Sequence, residues 1–272
     1  MVRAAVARKW SGRPRSPLVV GICGAQGSGK STLSDKLATA LDSDGLTTAV
    51  LSIDDLYHTK AERERLAREI HPLLRTRGVP GTHDIPLGLA TLDGIDAGQA
   101  IRLPRFDKAR DDRSPAETWP TAPAPIDIVL FEGWCVGAAP QPLAALAVPV
   151  NALEASEDSD GSWRSFVNEA LAGRYQALFA RIDMLAMLRA PDFSVVKYWR
   201  LEQEHALRAV SPAGSAGVMN DDQVIRFIAH YERLTRHILA EMPNRANLVI
   251  DLDEKRNATG FTERQTDWNS TE

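Results

Sequence analysis

Residues 24–31 read Gly-Ala-Gln-Gly-Ser-Gly-Lys-Ser, and this stretch decides the fold. It matches G-x-x-x-x-G-K-S, the pattern of the phosphate-binding loop called the P-loop. The apolar run at residues 18–23 precedes it and is typical of a buried strand. After it, Leu33, Leu37 and Leu41 recur at helical spacing. A strand, a glycine-rich turn and a helix in this order form the context in which the motif binds nucleotide phosphates.

The residue types of the loop explain how it would hold phosphate. Glycines let the backbone curl until several N–H groups point at one centre, and the helix N-terminus adds a partial positive charge there. We expect Lys30 to reach the β- and γ-phosphates of a nucleotide and the Ser31 hydroxyl to bind Mg²⁺. The residues of this segment expected to bind the nucleotide are Gly24, Gln26, Gly27, Ser28, Gly29, Lys30, Ser31 and Thr32.

Bulk composition describes an ordinary globular protein of 272 residues, 44% hydrophobic and 25% charged. The net charge of −4 gives no general attraction to nucleic acid or to anionic membranes, and no apolar stretch approaches the length of a membrane span. Two cysteines, Cys23 and Cys135, imply no disulfide framework. We therefore expect a cytoplasmic monomer or homodimer without a nucleic-acid or membrane partner.

Strand and helix patterns alternate along most of the chain, which predicts a parallel sheet covered on both faces. After the first strand, further strands are predicted at residues 47–53, 126–131, 183–188 and 248–252. The predicted fold is a three-layer α/β/α P-loop NTPase fold with a mostly parallel central sheet and an acceptor-site and lid region. We expect this domain at residues 18–256, between a flexible basic N-terminal extension (1–17) and a C-terminal tail (257–272).

Acidic residues close two of these strands, at the sheet edge where ligands bind in such folds. Asp54 would lie beside Lys30, where it could accept the proton of an acceptor hydroxyl or help to hold Mg²⁺ through water. Asp55 competes with it, because adjacent residues of an extended backbone point to opposite sides. Glu132 could orient metal-bound water, act as a second acid beside the γ-phosphate, or serve the structure only. The predicted catalytic set is Lys30, Asp54 and Glu132, and the predicted metal set is Ser31, Asp54 and Glu132.

Four further segments follow the P-loop in a fixed order. They are Ser-Ile-Asp-Asp-Leu-Tyr (52–57), Arg-Gly-Val-Pro-Gly-Thr-His-Asp (77–84), Leu-Pro-Arg-Phe-Asp-Lys (103–108) and Phe-Glu-Gly-Trp (131–134). Together with the P-loop they resemble the D-glycerate 3-kinase family of plant, fungal and bacterial P-loop kinases. That family lies within the broader uridine kinase, phosphoribulokinase and pantothenate kinase group, and the resemblance covers roughly residues 18–255.

The resemblance implies roles for individual residues. Asp54 matches the acid that activates the acceptor hydroxyl in the broader group, and residues 199–204 (Trp-Arg-x-x-Gln-Glu) match the helix that carries a phosphate-clamping lid, so Arg200 is expected at the nucleotide. The residues it places at the acceptor are Asp54, Tyr57, His83, Asp84, Arg105 and Arg113. The loop before Arg113 is shorter than is usual in the family, which bears on the identity of the substrate rather than on the reaction type.

The acceptor side is also basic by composition. A small acidic substrate needs fixed cations, and arginine fits a carboxylate with two parallel hydrogen bonds. The cations in the two loops expected over the site are Arg75, Arg77, Arg105, Lys108, Arg110 and Arg113. Each of them could equally be a solvated surface charge.

Three functions fit these observations. The first is ATP- and Mg²⁺-dependent phosphorylation of a small acid, most of all D-glycerate, giving 3-phosphoglycerate. The second is phosphorylation of another acceptor, such as a nucleoside, a pantothenate-like acid or another sugar acid. The third is a non-catalytic ATP-binding regulatory protein, against which the presence of both Lys30 and Asp54 argues. A GTPase is disfavoured, because the chain has no Asn-Lys-x-Asp-type guanine-recognition motif.

Overall fold

The computed structural model describes residues 1–11, 17–210 and 219–264. The helices are α1 (Val2–Trp10), α2 (Lys30–Ser43), α3 (Lys60–Glu69), α4 (Ile85–Asp96), α5 (Ala152–Glu157), α6 (Ser162–Ala170), α7 (Gln176–Phe179), α8 (Phe193–Val210) and α9 (Asp221–Glu241). The strands are β1 (Leu18–Gly24), β2 (Thr48–Ser52), β3 (Ile101–Arg102), β4 (Phe106–Asp107), β5 (Asp112–Arg113), β6 (Thr121–Ala122), β7 (Ile128–Gly133), β8 (Met184–Arg189), β9 (Leu248–Leu252) and β10 (Ala258–Glu263).

Six of the strands form one central sheet in the order β10-β9-β8-β1-β7-β2. All neighbours in it are parallel except β10, which runs antiparallel to β9. This confirms the predicted α/β fold with a mostly parallel sheet. The four remaining short strands pair as β3 with β6 and β4 with β5, and both pairs are antiparallel.

The middle of the sheet is the core of the molecule because its central strands are buried on both faces. Every residue of β1 and of β7 is buried, as expected for parallel strands covered by helices on each side. The order of the strands brings β1, β7 and β2 side by side, so their carboxyl ends meet at one edge. In the register of the sheet, Glu132 lies opposite Ile22 on one side and Ser52 on the other.

Both ends of the chain differ from the expected tails. Residues Val2–Trp10 form helix α1 instead of a flexible extension, because Val2, Ala5 and Val6 are spaced along one face and are buried against the core. Residues 258–263 form strand β10, which extends the sheet beyond the expected boundary at residue 256. Residues 12–16 and 265–272 of the two predicted tails lie outside the described residues.

The helical face predicted from residue 163 onward is divided between two helices, α6 and α7. The apolar spacing from residue 163 onward predicts a continuous helix to Ile182, whereas α6 and α7 are joined by a single π-helical turn at Leu171–Tyr175. Gly173 has non-helical dihedral angles there, which a residue without a side chain adopts at little cost. No helix in the described residues is long and apolar enough to cross a membrane.

Candidate active site

The P-loop connects β1 to α2 with the backbone that its sequence requires. Gly29 caps α2 with a left-handed φ of 86°, and Gly27 also has a positive φ, of 78°. A Cβ atom on Gly27 would lie 2.6 Å from the Cβ atom of Trp199, so this position needs glycine for space as well as for conformation. The side-chain amide of Gln26 and the hydroxyl of Ser28 are buried without a hydrogen-bond partner in the described part of the chain. A bound phosphate could accept hydrogen bonds from the amide NH₂ group of Gln26 and the hydroxyl of Ser28.

Asp54 lies in a short 3₁₀ turn (Ile53–Leu56) directly after β2, where the Ser52 hydroxyl accepts a hydrogen bond from its backbone N–H. Its carboxylate accepts a hydrogen bond from the Tyr57 hydroxyl at 2.8 Å and pairs with the Lys108 ammonium at 2.7 Å. Burial alone would raise the pKa of Asp54, but the charges of Lys108 and Lys30 and these two hydrogen bonds outweigh it and hold the pKa well below its ordinary value. Asp54 is therefore an anion in this site.

The carboxylate of Asp55 lies outside the cavity lining and binds the loop that follows residue 104. It accepts a hydrogen bond from the backbone N–H of Phe106 at 3.0 Å and pairs with Arg105 at 3.3 Å. Burial raises the pKa of Asp55. Of the two adjacent carboxylates, Asp54 therefore faces the cavity, and Asp55 anchors the loop that carries Arg105.

Glu132, at the end of β7, is 5% exposed. Its Oε1 atom accepts a hydrogen bond from the Ser31 hydroxyl at 3.2 Å, and its Oε2 atom is buried with no partner among the residues described. A hydroxyl next to a carboxylate oxygen that has no hydrogen-bond partner suits Mg²⁺. This ion binds few protein oxygens and completes its coordination shell with phosphate oxygens and water. Within the described residues no group of three or more His, Cys, Asp or Glu side chains could hold a metal alone. Ser31 and Glu132 could therefore hold Mg²⁺, whereas the oxygens of the Asp54 carboxylate face Tyr57 and Lys108.

A cavity of about 300 Å³ opens between the P-loop and the acceptor-side loops. The residues that line it are Gln26, Gly27, Lys30, Ser31, Asp54, Tyr57, Arg77, Lys108, Trp134, Arg200, Gln203, Phe227 and Tyr231. Four of these side chains are cationic, and Asp54 is the only carboxylate among them. The excess of positive charge suits the phosphate groups of a nucleotide and a small anionic molecule.

Four of the predicted acceptor residues lie outside this lining, namely His83, Asp84, Arg105 and Arg113, and their partners explain why. His83 is 3% exposed; its Nδ1 atom contacts the Tyr175 hydroxyl at 2.6 Å and its ring stacks on Tyr57 at 4.5 Å. Burial lowers the pKa of His83 to about 3, so the ring is neutral.

Asp84 and Arg113 likewise make contacts within the protein rather than with the cavity. Asp84 caps α4 by accepting a hydrogen bond from the Leu87 N–H, and it pairs with Arg113 at 3.0 Å. Arg113 also donates to the Tyr57 carbonyl at 3.0 Å. Together with His83, these residues support the Tyr57 segment from behind rather than lining the cavity.

Of the two arginines of α8, Arg200 lines the cavity and Arg208 does not. Arg200 pairs with Glu204 at 2.7 Å and lies over the Phe227 ring. Arg208, two turns further on, pairs with Asp221 at the start of α9. The structure thus brings Arg200 to the predicted nucleotide side. Thr32 is exposed in the first turn of α2.

Sequence reasoning did not single out two residues of the cavity lining, Phe227 and Tyr231, or Arg256 beside the P-loop. Phe227 and Tyr231 have the i, i+4 spacing of a core-facing helix, so nothing in the pattern distinguishes a cavity wall from a core. Arg256 donates to the Gly27 carbonyl at 2.7 Å and lies over the Trp199 ring, which ties the β9–β10 turn to the P-loop. No sequence signal marks that long-range contact.

Comparison with known proteins gives relatives over nearly the whole chain. The chain is 36% identical over 254 residues to the uncharacterized kinase mug58 of Schizosaccharomyces pombe, covering 88% of this chain and 89% of that protein. It is 33% identical to the chloroplastic D-glycerate 3-kinase of Arabidopsis thaliana, over 89% of this chain but only 54% of the plant protein. The chain therefore spans about half the length of that plant relative.

A solved structure resembles the chain over nearly its whole length, and one family model matches a shorter segment. A D-glycerate 3-kinase from Cryptococcus neoformans superimposes with a TM-score of 0.77 and 30% identity, covering 96% of each chain. The family model of the methylmalonyl-CoA mutase-associated GTPase MeaB matches residues 5–60, a segment that contains the P-loop and the second strand. That shorter match bears on the nucleotide-binding loop, whereas the longer ones extend over the acceptor-side loops as well.

Proposed function

This chain belongs to the D-glycerate 3-kinase family of P-loop kinases, and we propose that it transfers the γ-phosphoryl group of ATP to the terminal hydroxyl of D-glycerate. Its relatives establish a kinase, a phosphotransferase with an alcohol group as acceptor. The observation that carries the proposal is the position of Asp54, which shares one cavity with the P-loop residue Lys30 and with the cations Arg77 and Lys108.

The donor side of the proposed reaction uses the P-loop. Backbone N–H groups between Gly24 and Gly29 would surround the phosphates, and Lys30 would neutralise charge on the β- and γ-phosphates. Ser31 and Glu132 would hold Mg²⁺, which supplies further neutralisation of the phosphate charge when bound. Arg200 reaches the same cavity from α8 and adds a fourth positive group.

On the acceptor side, Asp54 is the proposed general base. The acceptor hydroxyl loses its proton to Asp54 as its oxygen forms a bond to the γ-phosphorus, and the bond from that phosphorus to the β-phosphate oxygen breaks to release ADP. The hydrogen bond from Tyr57 holds the carboxylate in one orientation. A small acid matches the positive charge of the cavity better than an uncharged nucleoside does.

The test is ADP release by purified protein with ATP and Mg²⁺, run with D-glycerate, L-glycerate, uridine, pantothenate and no acceptor. We expect stimulation by D-glycerate alone, and ³¹P NMR of the product should show 3-phosphoglycerate. Stimulation by another acceptor would keep the phosphoryl-transfer mechanism and discard D-glycerate as the substrate. ATP binding without turnover on any acceptor would favour the regulatory alternative.

A further inference from the structure

Both oxygens of the Asp54 carboxylate have partners within the cavity. Oδ1 accepts the hydrogen bond from Tyr57 at 2.8 Å, and Oδ2 pairs with the Lys108 ammonium at 2.7 Å. A carboxylate that is to receive the proton of an acceptor hydroxyl needs one oxygen within hydrogen-bond reach of that hydroxyl. Each oxygen can accept a second hydrogen bond, so an acceptor hydroxyl can approach beside either partner and has most room where the partner moves most easily.

The two partners differ greatly in how firmly they are held. Tyr57 is 3% exposed, stacks on His83 and packs edge-on against Phe106. The Lys108 side chain is 61% exposed and rises from the turn between the two-residue strands β4 and β5. An exposed lysine–carboxylate pair contributes little to stability, and its long side chain reorients at low cost. The contact that can change is the one to Lys108.

The other cations near the acceptor side are already committed to protein carboxylates. Arg105 pairs with Asp55 and Arg113 pairs with Asp84, both outside the cavity lining. Arg77 does line the cavity, but its guanidinium pairs with Asp111 and lies over the Phe106 ring at 5.5 Å. Among these residues, Lys108 is the cation whose partner is the proposed base itself.

We propose that Lys108 binds the carboxylate of the acceptor and thereby selects hydroxy acids over uncharged alcohols. The ammonium turns from Asp54 Oδ2 to the incoming carboxylate, and the acceptor hydroxyl takes its place at Oδ2. Since an ammonium has three donors, it can bridge both carboxylates while the substrate enters. This inference rests on the proposed function, because it concerns the acceptor of that same site.

The chemistry favours a short hydroxy acid. In glycerate the carboxylate is attached to the carbon next to the one that bears the terminal hydroxyl, so both groups reach the region between Lys108 and Asp54 together. Arg77, held in place by Asp111, is a fixed second cation on the same wall. Lys108 distinguishes acids from uncharged alcohols because its ammonium changes partner from Asp54 to the carboxylate of the acceptor.

The test compares D-glycerate with D-glyceramide, which has nearly the same shape and no charge. The variants are Lys108→Gln, Lys108→Arg and, as a matched control, Arg110→Gln, which removes an exposed cation of the same turn outside the cavity lining. For Lys108→Gln we expect kcat/KM for D-glycerate to fall roughly 10- to 100-fold, the loss of one charge-assisted hydrogen bond. The value for D-glyceramide and the KM for ATP should change by less than about threefold, and Lys108→Arg should retain most of the preference.

Four outcomes would overturn this role of Lys108. A parallel loss on both acceptors, or a Lys108→Gln enzyme that still prefers D-glycerate as the wild type does, would overturn the role of Lys108 and leave the proposed function intact. An equal loss of preference in Arg110→Gln would also overturn it, because the effect would then come from general charge around the cavity. A wild-type enzyme that binds ATP but does not phosphorylate D-glycerate would refute the proposed function and this inference with it.

Discussion

The substitution Asp54→Asn tests the proposed mechanism directly, because asparagine keeps the shape of the side chain and removes its ability to accept a proton. The amide oxygen can still accept the hydrogen bond that Tyr57 makes at 2.8 Å, so the cavity should keep its form. Loss of a positioned general base lowers kcat by roughly 10²- to 10⁴-fold. The P-loop is untouched, so the affinity for ATP should stay within about threefold of wild type.

The effect on folding should be small by comparison. The pair between Asp54 and Lys108 is partly exposed, with side-chain exposures of 23% and 61%, and such a pair contributes about 1 kcal/mol or less. The pKa of Asp54 lies well below its ordinary value, so the folded protein favours the anion and neutralising the side chain should lower stability. We expect the free energy of unfolding in urea to fall by about 1–2 kcal/mol.

Asp55→Asn provides a matched control one position along the chain. It removes the pair with Arg105 but leaves an oxygen for the Phe106 N–H, and it takes no group from the cavity lining. Its kcat should stay within about fivefold of wild type. The two variants are compared by coupled ADP release, ATP titration and urea unfolding. An Asp54→Asn kcat within about tenfold of wild type would refute the assignment of the base, as would equal losses in both variants.

Three further expectations follow from the same contacts. Gly27→Ala should weaken ATP binding far more than Gly29→Ala in a calorimetric titration: both positions have positive φ, costing alanine about 1–2 kcal/mol, but only at Gly27 does the new Cβ meet Trp199 at 2.6 Å. Glu132→Gln should raise the Mg²⁺ concentration for half-maximal turnover by roughly tenfold or more, and an unchanged Mg²⁺ dependence would exclude Glu132 from the metal site. The pKa of His83 is about 3 in the folded protein and 6.5 ordinarily, so between these values only the unfolded chain protonates the ring. Protonation of the unfolded chain should therefore lower the free energy of unfolding by about 2 kcal/mol as pH falls from about 7 to about 5. Urea unfolding of His83→Asn at the two pH values should lack that part of the pH dependence, and an undiminished slope would contradict it.

Local patterns were sufficient for the fold and for one half of the site. The P-loop, the strand before it and the helix after it are adjacent in the chain, so their geometry follows from residue types within a few positions. The five predicted strands appear in the structure, because long apolar runs specify buried parallel strands strongly. The rule that parallel strands bind ligands at their carboxyl ends then placed Asp54 and Glu132 correctly beside the P-loop.

The acceptor side depended on contacts between distant residues. Arg105 and Arg113 have the same composition signal as Arg77 and Lys108, but the first two pair with Asp55 and Asp84 in the folded chain, whereas the others line the cavity. A charged side chain near a site is oriented by whichever opposite charge the tertiary structure brings within reach, and sequence spacing carries no record of that partner.

The ordered N-terminus shows the same division. Its basic residues suggested a flexible extension, while the apolar spacing of Val2, Ala5 and Val6 becomes decisive only because the core offers a surface to bury them. The sequence by itself determined the nucleotide-binding loop, the sheet and the acids at its edge, since these follow from local periodicity and backbone chemistry. The tertiary structure alone decided which acid faces the cavity, which cations surround it and that helix α1 packs against the core, since those outcomes depend on contacts between residues far apart in the chain.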